Sequence, residues 1–152
     1  KLAGHSDRMP IPVAAQSDVA DSIVKALDDD AERIPKSITY TIAEGVAVGD
    51  MGAKGDWVLE DIRTSGGLGA ASSDAEVIEW QQRLARLEGI WAGPTGCITL
   101  PALAKLVQRG DIPAEARVVC TISETGLKSD LEPPDVAIIS TDPVAVMQFL
   151  TT

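Results

Sequence analysis

The sequence has little basic charge, a single histidine and no long apolar run, and each shortage removes a class of function. Its 13 lysines and arginines stand against 23 aspartates and glutamates, so no basic stripe is present to bind a nucleic-acid backbone. His5 alone is too little for a histidine metal site or a nucleophile triad. No apolar run approaches the roughly 20 residues of a membrane helix and no signal peptide is visible, which predicts a cytoplasmic protein without nucleic-acid or membrane partners.

Cysteine is also scarce. Cys97 and Cys120 both lie in apolar surroundings, which favours reduced core thiols over a disulfide. With 152 residues and a hydrophobic content of 45%, the chain is long enough to bury a core. Its length predicts one domain over residues 1–152.

Short apolar runs alternate with segments of helical periodicity. The run at 117–123 is almost continuously apolar from Val118 to Ile122, which predicts a central strand covered on both faces. The alternation predicts an α/β fold, in which helices flank a layered and mainly parallel sheet. The strands are expected at about 13–16, 68–71, 117–123 and 136–140.

Several residues predict where helices begin and end. Ser73 and Glu76 have the spacing of a capping box, in which each side chain bonds the other residue's backbone N–H. A later helix is expected to start close to Thr99, because Pro101 is tolerated only near a first turn, and the alternative is a kinked helix from about Gly96. Gly110 is expected to end it in the left-handed conformation.

A polar turn follows the run at 117–123. Ser123, Thr125 and Gly126 come at its carboxyl end, where open parallel sheets bind their ligands. A serine in such a turn also serves simply to satisfy backbone groups. From this pattern alone, the turn role of Ser123 is the simpler interpretation.

A set of ordered motifs carries a family resemblance. Glu88-Gly-Ile-Trp-x-x-Pro-Thr-Gly96 is followed by a helix and by a segment ending in Ser123-x-x-Gly-Leu-Lys128. This order resembles the C-terminal half of threonine synthase and, more broadly, the fold-type II pyridoxal-phosphate (PLP) enzymes, which include threonine and serine dehydratases. The resemblance spans roughly residues 9 to 128, and its upstream motifs are Val13–Gln16, Thr41–Gly49, Ile62–Gly67 and Ser73–Glu76.

The resemblance implies a PLP-dependent lyase of threonine biosynthesis, which acts by β/γ-elimination and replacement on an amino-acid substrate such as O-phosphohomoserine. It implies that Ser123 faces the pyridine nitrogen, with Thr125 and Gly126 beside the cofactor. It also places Glu44 and Thr95 near the substrate cleft, and the alternative for Glu44 is a structural polar role. Two alternatives stay open, namely a dehydratase-type PLP enzyme and a non-catalytic α/β domain that binds an effector or a partner.

The resemblance further implies a longer enzyme, of which this chain is the C-terminal portion. The family's Schiff-base lysine, substrate-carboxylate loop and glycine-rich phosphate loop all precede the matched segments. We therefore expect no catalytic residue and no metal site in this chain, and no activity from the 152 residues alone. The expected partner is the missing N-terminal part or a second chain, and a homodimer stays open.

The sequence departs from the family pattern at two places. The family often has Glu-Pro where this chain has Gly93-Pro94. Threonine synthases commonly have Thr-Gly-x-Gly where this chain has Ser123-Glu-Thr-Gly126. Glu124 thus adds a negative charge beside the expected cofactor contact, which bears on the substrate class rather than on the fold.

Overall fold

A parallel two-stranded sheet organises the chain in the computed structural model, which describes Gly4 and residues 9–37, 40–129 and 142–150. Strand β1 pairs with strand β2 in a register that runs from Val13 opposite Leu68 to Ser17 opposite Ser72. The elements in chain order are β1 (Val13–Ser17), α1 (Ser22–Asp28), a 3-10 helix (Glu44–Val46), α2 (Gly52–Thr64), β2 (Leu68–Ser72), α3 (Asp74–Glu88), α4 (Pro94–Cys97), α5 (Thr99–Arg109), a second 3-10 helix (Gly126–Lys128) and α6 (Pro143–Leu150).

Helices cover both faces of this sheet. Successive residues of a strand point to opposite faces, so Gly69 and Ala70 face different layers. A Cβ atom on Gly69 would lie 3.0 Å from Leu27 of α1, whereas Ala70 packs in a buried cluster with Leu106 of α5. The sheet is therefore sandwiched between α1 and α5, which confirms the predicted α/β layering.

The predicted helix boundaries are confirmed. The Ser73 hydroxyl accepts from the Glu76 N–H, and the Glu76 carboxylate accepts from the Ser73 N–H at 2.8 Å, which is the capping box. Helix α5 starts at Thr99, separated from the short helix α4 only by Ile98, and Gly110 ends it with a φ of 81°. These boundaries depend on neighbours in the sequence, which is why local signals predict them.

The outer edge of β2 is closed by two cations of α5. Lys105 Nζ donates to the Ala71 carbonyl at 2.7 Å, and the Arg109 guanidinium donates to the Gly69 carbonyl at 3.1 Å. The spacing of the two cations along α5 matches the spacing of the two carbonyls along β2, since four helical residues rise about 6 Å and two strand residues about 6.6 Å. Strand β2 thus has β1 on one side and positive side chains on the other.

The prediction of a central strand at 117–123 is wrong. The segment forms neither strand nor helix, and the Val119 side chain is 92% exposed. A strand needs a pairing neighbour, and no described residue pairs with this segment before the isolated bridge at Thr125. The predicted strand at 136–140 lies outside the described residues.

None of the helices in the described part of the chain has the length and apolar character needed to cross a bilayer.

Candidate functional site

Three separate segments meet at the start of helix α4. The Gly45 N–H donates to Thr95 Oγ1 at 3.1 Å, which brings the first 3-10 helix, Glu44–Val46, to α4. The Thr95 N–H donates to the Glu124 carboxylate at 3.1 Å, which brings the segment at 123–126 to the same place. The residues that the sequence assigned to a cofactor side and to a cleft side therefore converge on one helix end.

Backbone hydrogen bonds hold the segment at 123–126 against residues 91–93. The Gly93 N–H donates to the Glu124 carbonyl at 2.9 Å, and the Gly126 N–H donates to the Trp91 carbonyl at 2.9 Å. Trp91 also covers Gly126 so closely that a Cβ atom there would overlap the indole ring. Gly126 therefore leaves room for Trp91, and a side chain at 126 would displace the segment.

The hydroxyls of Ser123 and Thr125 differ in their surroundings. Thr125 Oγ1 accepts from the Leu127 N–H at 3.4 Å and so caps the second 3-10 helix. Ser123 is exposed, and its hydroxyl forms no hydrogen bond with any residue that the structure describes. Its backbone is nevertheless confined, because a Cβ atom on Gly96 would lie only 3.0 Å from the Ser123 nitrogen. Ser123 thus presents a free hydroxyl on a fixed backbone.

Helix α3 positions the other two segments of the site. Asp74 in its first turn accepts from the Thr41 hydroxyl at 2.5 Å and from the Ile42 N–H at 3.2 Å, which fixes the chain just before Glu44. Gln81 is fully buried and donates to the Ala92 carbonyl at 2.6 Å, which fixes residues 91–93. Glu44 itself is exposed at the start of the first 3-10 helix.

Sequence reasoning missed Asp74 and Gln81. Gln81 follows the buried Val77 by four positions, so it lies on the same face of α3 as an apolar residue. A polar side chain on such a face needs a buried partner. That placement was the available signal, whereas nothing in the sequence connects Asp74 with Thr41.

Three lysines of the described chain form ion pairs. Lys25 pairs with Asp21 at 2.8 Å, and Lys36 pairs with Asp50 at 2.6 Å. Lys105 donates to the Glu76 carboxylate at 2.8 Å in addition to the β2 edge. The remaining described lysines are Lys54 and Lys128, both exposed.

The Lys105 ion pair also sets the ionisation of the capping carboxylate. Burial acts to raise the pKa of Glu76, but hydrogen bonds from Lys105 and Ser73 outweigh it and lower the pKa overall. Glu76 therefore stays ionised and completes the N-terminal cap of α3. Among the described residues, no group of three or more His, Cys, Asp or Glu side chains is arranged to hold a metal ion.

Comparison with known proteins identifies relatives of this chain. A model described as Pyridoxal-phosphate dependent enzyme matches residues 3–124. The threonine synthase of Methanocaldococcus jannaschii is 34% identical over 148 residues, which are 96% of this chain and 35% of that protein. The threonine synthase of Methanosarcina acetivorans is 32% identical over 147 residues, again 96% of this chain and 35% of that protein.

A solved structure supports the fold independently. The crystal structure of a T.th. threonine deaminase superposes with a TM-score of 0.52 at 21% identity, covering 64% of this chain and 30% of that one. At this identity the likeness concerns the fold alone. The chain spans about a third of the length of the threonine synthases it matches. Because the family model covers most of its residues, the chain belongs to the family of pyridoxal-phosphate dependent enzymes.

Proposed function

We propose that this chain forms one wall of the PLP site in a lyase of threonine synthase type. Such an enzyme acts by β/γ-elimination and replacement on an amino-acid substrate, for example in converting O-phosphohomoserine to threonine. Family membership and the threonine synthase relatives support the proposal. The observation that carries it is the Ser123 hydroxyl, which is exposed and unpartnered among the described residues yet lies on a confined backbone.

The residues at the start of α4 are compatible with the pyridine end of the cofactor. PLP supplies an electron sink, and the group that faces its ring nitrogen tunes that sink. The Ser123 hydroxyl would bond the nitrogen, with Thr125 and Gly126 beside the ring. A neutral hydroxyl does not hold the nitrogen protonated as a carboxylate would. The resulting milder sink suits elimination and replacement at the β-carbon.

Glu44 and Thr95 would form the substrate side of the same site. Thr95 Oγ1 already accepts from the Gly45 N–H, which leaves the hydroxyl proton free to be donated into the cleft. Glu44 directly precedes Gly45, and its exposed carboxylate would attract the ammonium group of an amino acid. These roles complement Ser123, which would contact the cofactor rather than the substrate.

We further propose that the chain is a single α/β domain that pairs with more of the enzyme through residues 117–123. This segment is apolar and has no strand neighbour among the described residues. Strand β1 also has a free outer edge, because its described pairing is with β2 alone. A strand from the N-terminal part of a longer protein, or from a second chain, would give both segments a partner.

The test of the proposed reaction is turnover of the native gene product that contains this chain. Threonine formation from O-phosphohomoserine supports the synthase assignment. Release of 2-oxobutyrate from threonine without synthesis of threonine would instead indicate a dehydratase. Absence of both activities, together with no PLP absorbance, would indicate a non-catalytic binding domain. Intact mass spectrometry of the same preparation gives the length of the native protein.

Substitution of Ser123 tests the carrying observation in that preparation. A net neutral hydrogen bond is worth about 0.5–1.5 kcal/mol, so Ser123→Ala should lower turnover by about two- to tenfold with an unchanged melting temperature. Thr121→Ala is the matched control, since it removes an exposed hydroxyl two residues earlier. Full activity and an unchanged PLP spectrum in Ser123→Ala would refute the cofactor contact.

The 152-residue chain alone should bind no PLP covalently. Borohydride treatment with PLP should then attach the cofactor to no specific lysine. Stoichiometric labelling of one lysine, mapped by peptide mass, would contradict the expectation that the reactive lysine lies elsewhere in the enzyme.

A further inference from the structure

The two departures from the family pattern, at residues 93 and 124, are in contact. A Cβ atom on Gly93 would lie 2.5 Å from Cγ and Oε2 of Glu124 and 2.6 Å from its carboxyl carbon. Such distances are far below van der Waals contact, so the Glu124 side chain occupies the volume that a side chain at 93 would need. Two positions 31 residues apart in the sequence therefore share one space.

The Glu124 carboxylate also has a defined partner there. It accepts from the Thr95 N–H at 3.1 Å, and Gly93 offers no side chain to cap the helix. The first N–H groups of a helix have no partner inside the helix, so a carboxylate from elsewhere satisfies one of them. Glu124 thus acts as a cap that is supplied from 29 residues along the chain.

The backbone of Glu124 is bonded at the same point. The Gly93 N–H donates to the Glu124 carbonyl at 2.9 Å, and Gly96 leaves room for the Glu124 nitrogen, which would lie 2.9 Å from a Cβ atom there. Main chain and side chain of Glu124 therefore both bind the first turn of α4. Since Ser123 precedes Glu124 directly, the position of its hydroxyl depends on this contact.

We propose that Glu124 is a positioning residue, whose carboxylate replaces a side chain at 93 and fixes the Ser123 hydroxyl. The Glu124 carboxylate then serves the start of α4 from the opposite segment, at the place where Gly93 has no side chain. The role of Ser123 rests on the proposed function, whereas the contact between Glu124 and residues 93–95 does not. The proposal implies that substitutions at 93 and at 124 are coupled, because the two residues share one space.

The contact is tested by hydrogen exchange on the native gene product that contains this chain. Glu124→Gly removes the cap, and Gly93→Ala drives a methyl group into the carboxylate. Each should speed exchange of the Gly126 N–H by about tenfold, because this amide bonds the Trp91 carbonyl only while the segment at 123–126 is held in place. Glu124→Gln keeps an acceptor for the Thr95 N–H and should stay within about threefold of wild type. The control Glu115→Gln removes an exposed carboxylate elsewhere and should change nothing.

The exchange variant Gly93→Glu/Glu124→Gly tests the coupling of the two positions. It should restore protection of the Gly126 N–H to within about threefold of wild type, although Gly93→Glu alone disrupts the segment at 123–126. Strict additivity of the single substitutions would overturn the proposal, since independent sites add and sites in contact do not. Unchanged exchange in Glu124→Gly would overturn it as well.

Turnover of the native enzyme tests whether Glu124 acts through Ser123. Glu124→Gly should lower kcat by the same roughly two- to tenfold as Ser123→Ala, and the double variant should be no slower than either. Rescue by Glu124→Gln should return kcat to near wild type. Multiplied losses in the double variant would overturn positioning through Ser123. If Ser123→Ala is fully active while exchange shows the coupling, the proposed cofactor contact fails and the contact between 93 and 124 stands.

Discussion

The layer formed by β2 and α5 and the segment at 117–127 have similar apolar content but opposite surroundings. Ala102 and Leu106 of α5 are fully buried against β2, whereas Val119 and Leu127 are 92% and 87% exposed. The difference lies in what each can pack against. Helix α5 has the sheet beneath it, and the later segment has no strand beside it among the described residues. Apolar content therefore marks a segment that can be buried, and a neighbour decides whether it is.

The largest expected effect comes from removing a buried leucine of the layered region. Leu106→Ala should cost about 2–5 kcal/mol in the free energy of unfolding, because it leaves a cavity under the sheet. Leu127→Ala is the matched control at an exposed leucine and should stay within about 0.5 kcal/mol. Thermal melts of the two variants measure the difference. Equal melting temperatures would show that the two regions do not differ in packing.

The two cysteines offer the same comparison as a chemical rate. Cys97 is fully buried in the core, and burial raises the pKa of its thiol to about 11, so roughly one molecule in a thousand carries the thiolate at about pH 8. Cys120 is partly exposed in the segment at 117–127. Iodoacetamide should therefore label Cys120 at least about a hundredfold faster than Cys97. Peptide mass spectrometry over a time course gives both rates, and comparable rates would contradict the burial of Cys97.

A smaller effect is expected at the cap of α3, which belongs to the layered region. Ser73→Ala removes the hydroxyl that accepts from the Glu76 N–H and should cost about 1 kcal/mol. Ser73→Asp supplies another acceptor and should recover most of the stability. Urea unfolding of both variants is the measurement, and a neutral Ser73→Ala would mean that the Glu76 and Lys105 contacts suffice without the hydroxyl.

The smallest expected effect is at Val119, in the exposed segment at 117–127. Val119→Ala should change the stability of this chain by less than about 0.5 kcal/mol, because the side chain is exposed. If residues 117–123 pair with a strand of a longer enzyme, the same substitution should cost about 1–3 kcal/mol there. Unfolding of the short and the native protein side by side measures both. An equal and small cost in both would argue against the proposed pairing.

Neighbouring residues and family motifs were enough to select the segments of the candidate site. Thr125 and Gly126 open a 3-10 helix that Ser123 precedes, and Glu44 and Thr95 lie in segments that contact each other, while the roles of these residues stay predictions. The partners of the residues that hold the site were not predictable. Asp74 binds Thr41, 33 residues earlier in the chain, and Gln81 of α3 binds Ala92, which lies beyond the end of that helix.

Elements whose causes are local follow from the sequence alone. The capping box at Ser73, the first-turn proline of α5 and the left-handed Gly110 each depend on groups within a few residues, so their patterns are sufficient. Which apolar run becomes a strand, and that Glu124 fills the space beside Gly93, depends instead on the three-dimensional arrangement. Pairing and shared volume are properties of two distant segments at once, and a run of residues such as 117–123 carries no record of whether its neighbour is present.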